Sequence, residues 1–272
     1  MSATIALLSD FGTEDPYVAQ MKGVILQASP SSRIIDLSHS LQPFALEQAG
    51  FFLKASHPHF PANTVFMAVV DPGVGGERKI ICLRKHGKFF LAPDNGLLSF
   101  ILDEPGPERI YCVNPGAYHK EQEIRPTFHG RDVFAPAAAD LARTLSPKFL
   151  GSEISGDEII RLSFSPTRIG SDKIECAALH IDRFGNIILN LPIEPWRSEF
   201  ASRPFLSLQE PCARPLRLVR TYSDLEPGLA EEVGVLAGSQ GFMELALNMK
   251  SAAALLEIRP GQQLTISCKT EP

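Results

Sequence analysis

The chain predicts two domains: an α/β N-terminal domain with a largely parallel sheet over residues 1–165, then a smaller C-terminal all-β barrel over residues 172–272. Three observations predict this. As far as Thr144, apolar strand-like runs alternate with segments of helical period, the pattern of a sheet with crossover helices. From Lys173 onward short strands follow one another between turn residues, and helical pattern is thin apart from Ser251 to Ile258. Between the two, from about Ser163 to Ser171, Pro, Ser, Thr and Gly gather as they do in a connection.

The elements follow in order. Ala3 to Leu8 reads as a buried strand, and Asp15-Pro16 as an N-cap followed by a proline at the first helical position. A helix from Pro16 to about Gln27 then puts Val18, Met21, Val24 and Ile25 on one face. Arg33 to Leu37 is a second strand and Glu47 to Ala55 a second helix. Thr64 to Val70 is an almost unbroken apolar run, as expected of a central strand buried on both faces. Ile80 to Leu83 and Phe89 to Leu91 flank Lys85-His86-Gly87 as a hairpin, and Arg109 to Asn114 is a further strand. A helix from Asp132 to Thr144 carries Pro136 in or near its first turn, where a missing N–H costs least. The later strands are Ile174 to Ile181, Ile187 to Leu191, Leu216 to Arg220, Val233 to Ala237, Met243 to Leu247 and Leu264 to Cys268.

Composition narrows the function. At 272 residues the chain can bury a full core, and its hydrophobic (44%) and charged (21%) fractions are those of a globular protein. A net charge of −5 supplies no basic field, so nucleic acid is not an expected partner. Five scattered cysteines without CxxC spacing favour reduced thiols over disulfides or a zinc site. No signal peptide, membrane span or repeat is legible, so a cytoplasmic protein without a membrane partner is expected.

Polar clusters stand where strands end: Asp10 with Asp15, Asp71 with Arg78, Asp94-Asn95, and Phe128-His129-Gly130-Arg131-Asp132. The central strand stops at Asp71, and Pro72-Gly73-Val74-Gly75-Gly76 forces a loop before Arg78. In open α/β sheets that rim is where ligands bind, although Asp71-Pro72-Gly73 also suits a plain capped turn. An Asp, an Arg and a His that converge can hold and polarise a water: the carboxylate accepts a proton and the guanidinium favours hydroxide. Alternatively His129 is a structural cap, or Asp10, Asp71 and His129 ligate a divalent ion. No HxxxH-type or paired-carboxylate spacing supports the metal. Downstream, Asp182-Arg183-Phe184-Gly185-Asn186 suits a tight turn, or offers Phe184 to stack on a base and Asn186 to pair with an adenine edge. Ser239-Gln240-Gly241-Phe242 and Asn248 form a second such set.

Together these stretches resemble one family. LLSDFGTEDPYVAQMKG (Leu7 to Gly23), VVDPGVGGERK (Val69 to Lys79), APDNGLL (Ala92 to Leu98), TFHGRDVFAPAAA (Thr127 to Ala139) and IDRFGN (Ile181 to Asn186) occur in order. They are similar to the S-adenosyl-L-methionine (SAM) hydroxide adenosyltransferases, relatives of the fluorinase and chlorinase. The resemblance implies an α/β domain followed by a β-barrel, and a homotrimer with SAM at subunit interfaces. It implies hydrolysis of SAM to adenosine and L-methionine, with SAM as substrate and no cofactor or metal. Asp71, Arg78 and His129 would then activate water. Asp10 would bind the ribose hydroxyls, Asp15 would lie near them, and Phe128 would pack on the ribose or adenine. From a neighbouring subunit, Asp182 would meet the methionine ammonium, Phe184, Asn186 and Tyr222 the adenine, and Ser239 the methionine end. Asn248 and Met249 would lie beside the adenine.

Departures from the halogenases point to water as nucleophile. The fluorinase tyrosine matches Asp71, its halide-contacting threonine and serine match Val74 and Gly130, and its long insertion is absent. Two like charges at ~4 Å repel by about 4 kcal/mol at an effective dielectric near 20, so an anionic Asp71 disfavours halide. Gln240 stands where the halogenases place an arginine near the methionine carboxylate, so that end is expected to be held differently. The alternatives are an adenosyl-ligand binding protein without catalysis, a SAM-dependent halogenase, and a metal-dependent phosphoesterase.

Overall fold

The computed structural model describes residues 3–118, 127–162, 167–170, 172–203, 205–227 and 232–269. The chain divides into two compact units, Met1–Leu162 and Ser163–Pro272. Much of the expected connection, residues 163–166 and Ser171, lies outside the described residues.

The first unit runs β1 (Thr4–Ser9), α1 (Tyr17–Ala28), β2 (Arg33–Ser38), α2 (Leu46–Ser56), β3 (Val65–Val69), β4 (Ile80–Lys85), β5 (Lys88–Pro93), α3 (Ser99–Leu102), β6 (Glu108–Cys112), α4 (Ala135–Thr144) and β7 (Glu153–Ile154). Its seven-stranded sheet has the order β2-β1-β3-β5-β4-β6-β7. Strand β3 is buried throughout, because alternate side chains enter opposite cores. Val65, Met67 and Val69 pack with α1 and α4, whereas Phe66 and Ala68 pack with α2 and α3. Val18, Met21 and Ile25 form the buried stripe of α1, as their helical spacing requires, with Val24 half-buried beside them.

The sheet is mixed, which corrects the expectation of a largely parallel one. Pairs β1–β2, β1–β3 and β3–β5 are parallel; β4–β5, β4–β6 and β6–β7 are antiparallel. Parallel neighbours need a long crossover, usually a helix. After β3 the chain instead turns back through the hairpin, and α4 arrives only after β6. His86 (φ 50°) and Gly87 (φ 69°) both take left-handed backbone, the two-residue turn that suits strand twist. A second correction concerns α1: its N-cap is Pro16, whose carbonyl accepts from Gln20 N, and Asp15 makes no capping bond.

The second unit runs β8 (Arg168–Ile169), β9 (Lys173–Ile181), β10 (Ile187–Pro192), α5 (Ile193–Ser202), β11 (Phe205–Glu210), β12 (Arg214–Leu218), β13 (Val233–Ala237), β14 (Phe242–Ala246), α6 (Ala252–Leu256) and β15 (Gln263–Lys269). Strands β10-β14-β13-β12-β11-β15-β9 close into a barrel through a β9–β10 pairing, and β8 extends β9. Closure leaves no unpaired edge around the ring. Helix α5 and strand β11 were not legible: Pro195 breaks the helical pattern in sequence, yet Trp196 and Phe200, one turn apart, bury against the barrel core. Among the described residues no helix is long and apolar enough to cross a membrane.

Phe66 and Phe90, neighbours on β3 and β5, stack with centroids 5.1 Å apart and are fully buried. Phe90→Ala should lower unfolding free energy by about 3–5 kcal/mol. A urea titration checks this, and a loss below ~1 kcal/mol would show that this core face is loosely packed.

Candidate active site at the end of the central strand

Strand β3 delivers Asp71 to the rim of the sheet. Val74 N donates to Asp71 O (3.2 Å) and Gly76 N to Gly73 O (3.0 Å), so the loop folds as successive tight turns. Gly75 takes φ 78°, which glycine adopts without steric cost. That reversal brings Arg78 back onto Asp71. Arg78 Nε donates to Asp71 Oδ1 (3.1 Å) and Oδ2 (3.0 Å), and Arg78 Nη2 also donates to Oδ2. The side chains are 10% and 4% exposed, so this is a largely desolvated, forked ion pair. Asn95 secures the strand end, with Nδ2 donating to Val70 O at 2.9 Å. Neighbouring Asp94 accepts from Ile160 N at 2.8 Å, and burial raises its carboxyl above the ordinary range. The Asp94-Asn95 cluster is therefore structural.

Arg78 makes one further contact: Nη2 lies 2.9 Å from His129 Nδ1. A guanidinium has no lone pair to offer, so Nδ1 is the acceptor and the imidazole proton sits on Nε2. His129 opens a single π turn, Gly130–Phe134, where Ala135 N reaches Gly130 O before α4 continues. Such turns are frequent at functional sites. The expected helix from Asp132 therefore begins as a π turn, and Pro136 lies in the first turn of α4. The structure thus gathers Asp71, Arg78 and His129 around one guanidinium.

A cavity of about 130 Å³ opens beside them. Asp71 and His129 line it with Val74, Gly130 and Phe128. Phe11 and Tyr17, which the sequence did not single out, complete an aromatic wall; Tyr17 and Phe128 meet edge-to-face at 5.1 Å. Phe11 follows Asp10 in the β1–α1 connection and Tyr17 opens α1, and aromatics so close to a strand-end aspartate are the signal that could have found them. At Gly130 an added Cβ would lie 3.0 Å from Met21 Sδ, 3.1 Å from Phe128 and 3.3 Å from Phe11. No side chain fits there without displacing its neighbours.

Asp10 and Asp15 lie in the same connection but do not line the cavity. Asp10 Oδ2 accepts from Phe44 N at 2.9 Å, and Phe44 is exposed with left-handed backbone (φ 66°). Bulky residues rarely adopt that conformation, and such strain concentrates at functional sites. Asp15 is exposed. Among the described residues no group of three or more His, Cys, Asp or Glu could hold a metal ion.

The remaining candidates lie on the second unit. Asp182 Oδ1 accepts from Phe184 N (2.9 Å) and Asn186 N (2.8 Å), and Oδ2 from Asn186 Nδ2 (2.9 Å). With Gly185 at φ 85°, this is the tight turn that the residue types allowed. It leaves the Phe184 ring exposed. Gly185 O accepts from Ala253 N (2.9 Å), which seats the turn beside the segment carrying Asn248 and Met249. Asn248 Nδ2 donates to Leu225 O (2.8 Å), and Met249 is exposed. Ser239 is exposed in the β13–β14 turn, and Tyr222 OH donates to Glu244 Oε1.

Fold and cavity define a protein of the α/β-plus-β-barrel class, with a small, largely apolar cavity at the strand ends of its first unit into which Asp71 and His129 face. The chain belongs to the SAM hydroxide adenosyltransferase family: its N-terminal domain model matches residues 5–151 and its C-terminal domain model residues 176–265. A (R)-S-adenosyl-L-methionine hydrolase of Thermus thermophilus is 35% identical over 96% of this chain and 98% of its own. A fluorinase of Actinoplanes is 28% identical over 97% of both chains. The crystal structure of an uncharacterized conserved protein from Thermotoga maritima superposes with a TM-score of 0.88 at 30% identity, over 96% of this chain and 99% of that one.

Removing one member of a buried ion pair leaves the other uncompensated. Arg78→Met should therefore destabilise the protein by about 3–5 kcal/mol, and adding Asp71→Asn should recover part of that loss. Chemical denaturation of the single and double variants checks this; a double variant no more stable than Arg78→Met would refute it.

Proposed function

We propose that this chain hydrolyses SAM to adenosine and L-methionine by attack of a held water on C5′. Membership of the family makes it an enzyme acting on SAM. The observation that carries the residue assignment is the guanidinium bridge between Asp71 and His129 at the cavity wall. Asp71 accepts a hydrogen bond, then a proton, from the water. His129 Nε2–H orients the water oxygen, and Arg78 holds both groups in register while its charge favours developing hydroxide.

As the oxygen lone pair forms the O–C5′ bond, the C5′–S bond breaks and its electron pair returns to sulfur. The sulfonium becomes the neutral thioether of methionine. A leaving group already cationic needs no cofactor, so rate rests on alignment, which supplies roughly 7–11 kcal/mol in well-oriented systems. Gly130 offers no hydroxyl to a halide where the resemblance places the halide-contacting serine of the halogenases, and the Cβ of a serine there would press on Met21, Phe128 and Phe11.

The remaining roles follow the family resemblance. Asp10 binds the ribose hydroxyls with Asp15 nearby, and Phe128 packs on the nucleoside. In a homotrimer the second unit of a neighbouring copy supplies Asp182 and Ser239 to the methionine end. It supplies Phe184, Asn186, Tyr222, Asn248 and Met249 to the adenine.

Incubation with SAM in ¹⁸O-water, with and without chelator, should place ¹⁸O in the adenosine 5′-hydroxyl at unchanged rate. Asp71→Ala, Arg78→Ala and His129→Ala should each lower turnover by about 10²-fold or more. Adenosine without label, or wild-type turnover in all three variants, would remove water activation by these residues.

A further inference from the structure

Glu244 is the one charged side chain of β14, and it is 4% exposed. Alternation along β13 and β14 sends Val233, Val235, Met243 and Leu245 into the barrel core. Gly234, Leu236, Glu244 and Ala246 therefore occupy the outer face. A carboxylate there would ordinarily be solvated. Here a strap, residues 219–225, folds back across the strands. Val219 N donates to Val235 O (3.0 Å), Leu225 O accepts from Asn248 Nδ2 (2.8 Å), and Val219 and Leu225 cluster with Leu236 and Ala246. The strap stiffens itself, since Asp224 Oδ2 accepts from Arg220 N (2.9 Å) and Thr221 N (3.0 Å).

Beneath this strap Glu244 Oε1 accepts the Tyr222 hydroxyl. Its other oxygen lies against the β13–β14 turn, where a Cβ on Gly238 would come within 2.6 Å of Oε2. Burying a carboxylate is costly unless it is hydrogen-bonded, and a leucine would cover the same strands more cheaply. A buried acceptor at this position therefore asks for a purpose beyond packing. Burial raises the carboxyl of Glu244, and burial with that acceptor raises the Tyr222 phenol, so the phenol stays a donor at neutral pH. The Tyr222 ring is left 43% exposed and fixed at its tip.

We propose that Glu244 is a positioning residue for the nucleoside: it acts through the Tyr222 hydroxyl to hold that ring in the plane on which the base stacks. This rests on the adenine-facing role of Tyr222 in the reading above. Holding the ring before substrate arrives removes an ordering cost from binding and leaves the reacting carbon untouched. The effect therefore falls on KM and not on kcat.

The experiment is a double-variant cycle read by SAM hydrolysis and, in parallel, by calorimetric binding of adenosine. Tyr222→Phe and Glu244→Leu should each raise KM for SAM, and weaken adenosine, by about 5- to 10-fold, with kcat within about two-fold. The double variant should be no worse than the poorer single one, because the two act through one bond. Glu244→Gln keeps an acceptor for the phenol and should stay near wild type. Penalties that add, an unchanged KM in Tyr222→Phe, or a Glu244→Gln as weak as Glu244→Leu would overturn the proposal. Should Glu244→Leu fail to fold, Tyr222→Phe and Glu244→Gln decide it. A wild-type protein that binds adenosine but releases none from SAM would instead refute hydrolysis, and the adenosine arm would still judge Glu244.

Discussion

The site depends on one side chain that joins two others. Arg78 donates to both oxygens of Asp71 and also to His129 Nδ1, so a single planar cation sets the distance between a carboxylate and an imidazole. In a largely desolvated site neither arrangement survives without it, because a buried carboxylate needs a partner. The same contact decides the tautomer. With Nδ1 occupied by a guanidinium N–H, the ring presents Nε2–H and serves as a donor, which leaves Asp71 as the group able to take a proton.

The surrounding fold exists to hold that geometry. Strand β3 is packed on both faces, and Asn95 fastens the carbonyl of Val70 just beyond its end. The glycine-containing loop returns Arg78 to the strand from which it departed. On the other side, a π turn carries His129 to the guanidinium at the head of α4, which packs against α1. Space is set as firmly as charge. Met21, Phe11 and Phe128 close around Gly130, so the cavity floor is backbone. The barrel repeats the principle in another chemistry, with the buried acceptor Glu244 fixing an aromatic ring that remains partly exposed.

Much of the first unit was legible because its signals are local. The run from Thr64 to Val70, the His86-Gly87 turn and the stripe Val18, Met21, Ile25 each declare themselves within a dozen residues. The sheet was misread as largely parallel because direction depends on which strand a segment joins. Strand β6 pairs with β4, and nothing within Arg109 to Asn114 encodes that choice. Helix α5 was hidden because Trp196 and Phe200 are helical only through the barrel core they bury against.

For the site, the residue types alone left Asp71 as catalyst or turn, His129 as catalyst or cap, and Asp182 as ligand or turn former. The resemblance favoured the first of each. The sequence by itself determined the two-domain order, the family, and a carboxylate at the mouth of the central strand, since motifs and periodicity are written along the chain. Only the tertiary structure decided that Arg78 reaches both Asp71 and His129, that Phe11 and Tyr17 wall the cavity, and that Glu244 lies beneath Tyr222. Those facts are distances between side chains that no helical or strand period pairs, seven residues apart for Asp71 and Arg78 and 51 for Arg78 and His129, and packing sets such distances where no local pattern records them.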